Sequence, residues 1–500
     1  MVKYFVSLVA LVTIVVFSKP LFQKGLIAGH DTGARVIHIQ MMAQALKDGQ
    51  FPVRWVEGPA PGLSHPLFNY YPPLFYYVPA VLNLAGIPVR DAIYLSLVAF
   101  LALGWYGMYK FTRSFVAASL FSLTPYRISQ VYVRAAYMEF AATSLIPFVF
   151  WGVQKRDIRM TAISLGLMLA IHQPTFMMVF PAMVAWIAFL WIRDNSKQVA
   201  IASLLSIGIG MVLVSSFVLP MFVERQFVYA DNLSANYFDY HQHFATISQL
   251  IYSPWGYGIS KAGPDDGMSF QVGILNWTVL LAGIGIVIWK KKYTSPIVIF
   301  ALITAYGVFM STSASLPIWE VIPPLSFIQY PWRFLAITTF ATAVIAGEIG
   351  SFFNKKYLLG VVILMILMNW RYLAPASYLP VDIFNFNNAN FPKNDPLYGL
   401  EPSYFPIQTV QTNSDPSIPR FRVIQGKADI KSLAERTTFQ QFSAQVEKPS
   451  TIQINTHYFP GWTAKVDGET TTPGFSSPEG NMEITLPPGE HKVTLQFTQT

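Results

Sequence analysis

A small set of ionisable side chains stands out because the surrounding sequence is apolar and has little reason to keep charge. Asp31 follows His30 and Gly29, just past the first apolar run. Arg127, Arg134 and Glu139 lie in TPYRISQVYVRAAYMEF, His172 in AIHQP, and Arg333 in FIQYPWRF, which also carries Tyr330. Arginine presents two parallel N–H donors to phosphate oxygens. A carboxylate can deprotonate an attacking hydroxyl or hold a divalent cation, Mg2+ or Mn2+, with Asp31 the ligand if a metal binds at all. Together these residues suit an anionic substrate. Each also has a structural alternative. Asp31 would cap a helix over 34–46, Glu139 would pair with Arg134, and His172 would be a polar cap at the interface. Arg333 and its aromatic neighbours would anchor the chain at the membrane surface. His65 in GLSHPLF reads as ordinary, and no glycine-rich phosphate loop, HExxH or GxSxG occurs.

The elements that must position these residues are membrane helices. The chain is 53% hydrophobic and only 12% charged, against roughly 25% charged in a globular domain. Apolar runs at 4–18, 91–109, 114–126, 138–153, 159–172, 174–192, 199–221, 270–289, 295–311, 332–350 and 357–373 give about eleven spans. The run 75–86 contains Pro79, is short, and reads as re-entrant or interfacial. The absence of a small-x-small cleavage site marks the first run as a retained helix. The formal charge of +8 comes from short clusters between spans and does not point to nucleic acid. With this span list Lys110 with Arg113, Lys155 with Arg156 and Arg159, Arg193 with Lys197, Lys290 to Lys292 and Lys355 with Lys356 all share the N-terminal side, which the positive-inside rule makes cytoplasmic. There is no cysteine, which excludes disulfides and thiolate chemistry.

The outer side then collects 19–90, 127–137, 222–269, 312–331 and everything past 374. The loop 19–90 carries a surface helix and the aromatic, proline-rich NYYPPLFYY. Residues 375–402 read as a linker. From 403 to 500 short alternating runs separated by Pro-Gly and Asp-Gly turns predict an extracytoplasmic β-sandwich with Trp462 facing inward. The expected architecture is therefore a mainly α, polytopic membrane domain over 1–374 followed by this β unit.

The first helix, the acid in a long outer loop and YYPPLFYY resemble the GT-C superfamily of membrane glycosyltransferases. More narrowly, NYYPPLFYY, TPYRISQVYVRAAYMEF, AIHQP and FIQYPWRF resemble a bacterial multi-span family labelled after 6-pyruvoyl-tetrahydropterin synthase. YFPGWTAKVDG and LPPGEHKVTLQF are similar to the outer sandwich of YfhO-type membrane proteins. The resemblance implies a transferase that moves a sugar from a polyprenyl-phosphate donor in the membrane lipid to an extracytoplasmic acceptor, whether envelope glycan, lipid or protein. It implies Asp31 and Glu139 as catalytic acids, with His30, Arg127, Arg134, His172, Tyr330 and Arg333 binding substrate. One departure is that the outer loop offers a single acid preceded by histidine, not an acid pair. The competing expectation is a non-catalytic transporter or assembly factor for lipid-linked glycans, which should show paired interrupted helices in its two halves.

Overall fold

The computed structural model describes residues 2–58, 62–384, 400–412 and 418–498. Residues 385–399 of the expected linker, and Pro59 and Pro61 of the proline-rich loop, lie outside the described residues. The protein is a mainly helical membrane protein with a C-terminal antiparallel β unit. Among the described residues, four helical stretches are long and apolar enough to cross a membrane: Tyr4–Phe22, Val89–Thr112, Gln173–Asp194 and Pro331–Gly350. Two bent pairs, Gln198–Leu213 with Ser215–Val223 at 69° and Pro296–Met310 with Ser313–Val321 at 90°, make six if each is one span.

The other expected spans form shorter helices, at Phe115–Leu123, Tyr137–Thr143 with Ile146–Lys155, Ile158–Ile171, Ile274–Lys290 and Lys355–Asn369. Local chemistry sets their ends. Thr124 is extended before Pro125, because a proline disfavours the helical region for the residue preceding it. Ser114, Asp157 and Asn354 each accept a backbone N–H of the first turn and fix a helix start. The run 75–86 is a helix of 11 residues, Leu74–Leu84, with Pro79 inside, too short to span a bilayer.

The chain divides into two compact units. One comprises 1–32, 93–215 and 234–380, and the other 33–92, 216–233 and 381–500. In the first, the helix Leu335–Gly350 is buried along almost its whole length. Phe340 on this helix meets Phe150 at 4.6 Å and Phe300 at 6.0 Å between ring centroids. Such aromatic contacts hold helices together without needing water to drive them, as membrane packing requires.

In the second unit the C-terminal strands are β1 (Phe421–Arg436), β2 (Phe439–His457), β3 (Trp462–Val466), β4 (Glu469–Thr471), β5 (Gly474–Phe475), β6 (Asn481–Leu486) and β7 (Gly489–Phe497). They form one sheet in the order β4-β3-β7-β2-β6-β5, with β1 also paired to β2. The first half of β2 pairs with β7 and its second half with β6. Between the halves, Gly426 has φ +87° and faces Pro449. A Cβ there would lie 2.3 Å from the Pro449 carbonyl oxygen, so only glycine fits. Trp462 is buried as expected. Its partners include Trp55 of the first outer loop, edge-on at 5.6 Å, and Phe497 at 5.6 Å. Loop residues thus complete the hydrophobic face of the sheet, which alternation within the strands alone could not reveal.

Candidate functional site

The site lies in the first unit and is assembled by backbone before side chains meet. The N–H of His30 donates to the Val133 carbonyl at 3.0 Å and that of Asp31 to the Arg134 carbonyl at 3.2 Å. Gly29 makes this approach possible, since a Cβ there would stand 2.9 Å from the Cβ of Ala135. Ala135 itself takes φ +53° in the tight link between the helices Pro125–Tyr132 and Tyr137–Thr143. Residues about a hundred positions apart in sequence are thereby held side by side.

Glu139 is the hub. Its Oε1 accepts from the Tyr126 hydroxyl through a short contact, from Gln130 Nε2 at 2.9 Å and from Arg134 Nη1 at 3.3 Å. Its Oε2 accepts from Arg134 Nη2 at 2.6 Å and faces Arg333 Nε at 3.4 Å. Tyr126 and Gln130 are four apart on one helix, so both reach the same carboxylate. The arginines are fixed again by aromatic rings. The Arg134 guanidinium lies 4.4 Å from the Trp332 ring centre and that of Arg333 4.7 Å from Tyr330. Tyr330 and Trp332 stack on each other at 4.9 Å. Each cation–π contact contributes about 0.5–2 kcal/mol, more where water is excluded. Arg333 Nη1 also donates to the Ile328 carbonyl at 2.6 Å. Side-chain exposure separates the roles: 1% for Glu139, 6% for Arg134 and 13% for Arg333. Arg333 is the member best placed to meet an incoming anion.

Asp31 is half-buried and lies within electrostatic reach of His30, Tyr237 and Tyr330. His30 Nε2 sits 3.1 Å from the Tyr257 carbonyl, so that nitrogen carries the hydrogen and donates. Burial lowers the pKa of His30, with Arg134 adding to the effect while the Tyr257 carbonyl and Asp31 oppose it. The imidazole is then neutral at neutral pH, with its lone pair on Nδ1.

His30, Asp31, Arg134, Glu139, Tyr330 and Arg333 therefore gather in one place. His172 caps the helix Gln173–Asp194, its Nδ1 accepting from the Thr175 N–H at 3.2 Å, and stands near Glu139. Arg127 stands apart. It points away from Glu139, because consecutive residues diverge by about 100° around a helix. Its guanidinium is buried between Phe121 and Phe140, 4.4 Å from each ring, and donates to Thr143 and Ser144 at 2.7 and 2.9 Å. Those hydroxyls end the helix Tyr137–Thr143, so the cation sits at the negative pole of a helix, a structural position.

Sequence reasoning missed the outer-loop side of the site. His243 Nε2 donates to the Tyr237 carbonyl at 2.6 Å, and its Nδ1 is 2.9 Å from Ser260 Oγ, which also accepts from Trp332 Nε1 at 3.2 Å. Nothing in the local sequence marks these residues, since their link to FIQYPWRF spans about seventy to ninety positions. Among the described residues no three His, Asp or Glu side chains gather as a metal site requires. The partners of Glu139 are donors and cations, a set that does not fit Mg2+ or Mn2+.

The model of a family described as "6-pyruvoyl-tetrahydropterin synthase related domain; membrane protein" matches residues 68–375, more than half of the chain. No curated protein matches the sequence. Solved structures to which the chain is similar include arabinofuranosyltransferase AftD from Mycobacteria, at 13% identity and TM-score 0.43, covering 75% of this chain and 27% of that one. Another is ArnT from Cupriavidus metallidurans bound to undecaprenyl phosphate, at 12% identity and TM-score 0.46, covering 74% of this chain and 64% of that one. The chain thus spans about a quarter of the first and less than two thirds of the second.

Proposed function

We propose that this chain, which belongs to that family of membrane proteins, is a membrane glycosyltransferase that takes its sugar from a polyprenyl-phosphate donor. The observation that carries the reading is the pair of arginines locked on Glu139, with Arg333 the more accessible and Asp31 beside Arg134. The acceptor oxygen attacks the anomeric carbon while Asp31 takes the hydroxyl proton. The bond from that carbon to the phosphate oxygen breaks, its electron pair stays on the phosphate, and the anomeric centre inverts. The lipid phosphate gains one negative charge in this step, and Arg333 and Arg134 are fixed where that charge develops. Glu139 stays ionised and holds both arginines in position. Tyr330 and His30, close to Asp31, contact the substrates, and His172 stands near Glu139.

The acceptor lies on the outer face of the cell membrane, with the N-terminus and Lys290 to Lys292 on the cytoplasmic side. The experiment is to incubate the purified protein with a panel of polyprenyl-phosphate sugars and an envelope extract as acceptor. Release of the lipid monophosphate with one donor supports the reading. Tight donor binding with no release across the panel would favour a carrier of lipid-linked glycans.

A further inference from the structure

We infer that the outward face of the C-terminal sheet binds an anionic glycan. A groove of about 320 Å3 lies across β2, β7 and β3. Strand register builds its floor. Gln441, Thr494 and Lys465 stand side by side on the three strands, and Gln496 stands beside Thr463 in a second row. The alternate residues, Phe442, Val493, Leu495 and Ala464, are buried on the opposite face, so the groove is lined by amides, hydroxyls and ammonium groups. Gln441 Nε2 donates to Thr494 Oγ1 at 2.9 Å, which orients its carbonyl oxygen. Rows on adjacent strands repeat every ~5 Å and along a strand every ~7 Å, a grid on which successive sugar hydroxyls can find partners.

Charge selects the ligand. Lys465 and Lys492 flank the groove, and among the described residues neither side chain has a carboxylate partner. The one acid in the lining, Asp467, is already engaged. Its Oδ1 accepts the Lys492 backbone N–H at 2.7 Å and its Oδ2 meets His491 Nδ1 at 2.6 Å. Two unpaired ammonium groups among hydrogen-bonding side chains call for an oligosaccharide that bears carboxylate or phosphate groups. A phospholipid surface fits less well, because docking on a membrane takes apolar side chains that enter it or a cluster of about four or more Lys and Arg, and the lining has neither. The site stands in the second unit and does not depend on the transfer reaction.

The test uses the full chain in detergent, titrated with an oligogalacturonate, a maltooligosaccharide of equal length, and phosphatidylglycerol vesicles. Saturable, salt-sensitive binding of the oligogalacturonate alone is expected. It should weaken at least about tenfold in the Lys465→Gln/Lys492→Gln double variant and stay unchanged in Lys427→Gln, whose ammonium pairs with Glu447 away from the groove. Both substitutions in the double variant are at exposed positions, and an unaltered melting temperature confirms that the fold is intact. Equal binding of the neutral sugar, binding to vesicles only, no binding at all, or full binding by the double variant would each overturn the inference.

Discussion

Glu139→Gln separates a group that positions from a group that reacts. The substitution keeps side-chain length and buried volume but replaces a charged acceptor oxygen by an NH2 donor. In the structure both oxygens of Glu139 face donors: the Tyr126 hydroxyl and Gln130 on one, Arg134 and Arg333 on the other. An amide nitrogen therefore faces another donor whichever way it is turned, and two arginines lose their shared counter-charge. Breaking a buried pair from one side costs about 3–5 kcal/mol. At roughly 2 °C per kcal/mol for a large domain, the melting temperature of the purified protein should fall by about 6–10 °C. Lipid-phosphate release should fall with it, because Arg333 loses its orientation. Thermal unfolding in detergent and donor turnover, measured on the same preparation, test this. An unchanged melting temperature with turnover reduced by a hundredfold or more would refute the reasoning, since Glu139 would then be the reacting acid.

The second unit and the topology supply three further predictions. Trp462→Ala should destabilise the sheet by about 3–5 kcal/mol and open it to protease, and Trp55→Ala should do the same, since each ring is a large part of the other's surroundings. Burial pushes His65 down to about 3, helped by His457, and burial pushes His457 down to about 4 against an opposing Ser64 carbonyl. The unfolded chain takes up protons below about 6.5 that the folded unit refuses. Stability should therefore fall as pH drops from 6.5 toward 4, by at most about 1.4 kcal/mol per pH unit for each histidine. Denaturant unfolding at pH 7, 5.5 and 4.5 measures this, and a flat profile would contradict the burial of the pair. Lys292→Cys should resist an impermeant thiol reagent in intact cells while Thr470→Cys reacts, and no native cysteine obscures the readout. Labelling at 292 would invert the proposed topology.

Much of this arrangement was legible in the sequence. Charges kept at membrane depth are expensive, so Asp31, Arg134, Glu139 and Arg333 stood out; both arginines reach Glu139, and Asp31 joins them through its backbone N–H to the Arg134 carbonyl. What sequence could not resolve was direction. Arg127 and Arg134 read alike in one motif, yet the helix Pro125–Tyr132 turns Arg127 into a cage of phenylalanine rings, and only Arg134, past its end, reaches Glu139. Glu139 itself read as a catalytic acid and also as a partner of Arg134, and its complete set of donors favours the second role. Apolar length overstated continuity, because Thr124-Pro125 ends the run 114–126 early and the runs 138–153 and 199–221 each break into two helices. The partnership of Trp55 with Trp462 was invisible because it joins positions some four hundred residues apart.

The claim that Asp31 is the base rests most directly on one comparison, the turnover of Asp31→Asn beside Asp31→Ala with the active polyprenyl-phosphate donor. Asparagine caps a helix about as well as aspartate, and the helix Thr32–Lys47 starts at the next residue. Asp31→Asn should therefore keep the melting temperature while lipid-phosphate release falls by about 10²–10⁴. Near-normal release by Asp31→Asn, with Asp31→Ala losing only about 1 kcal/mol of stability, would make Asp31 a helix cap and contradict the proposed chemistry.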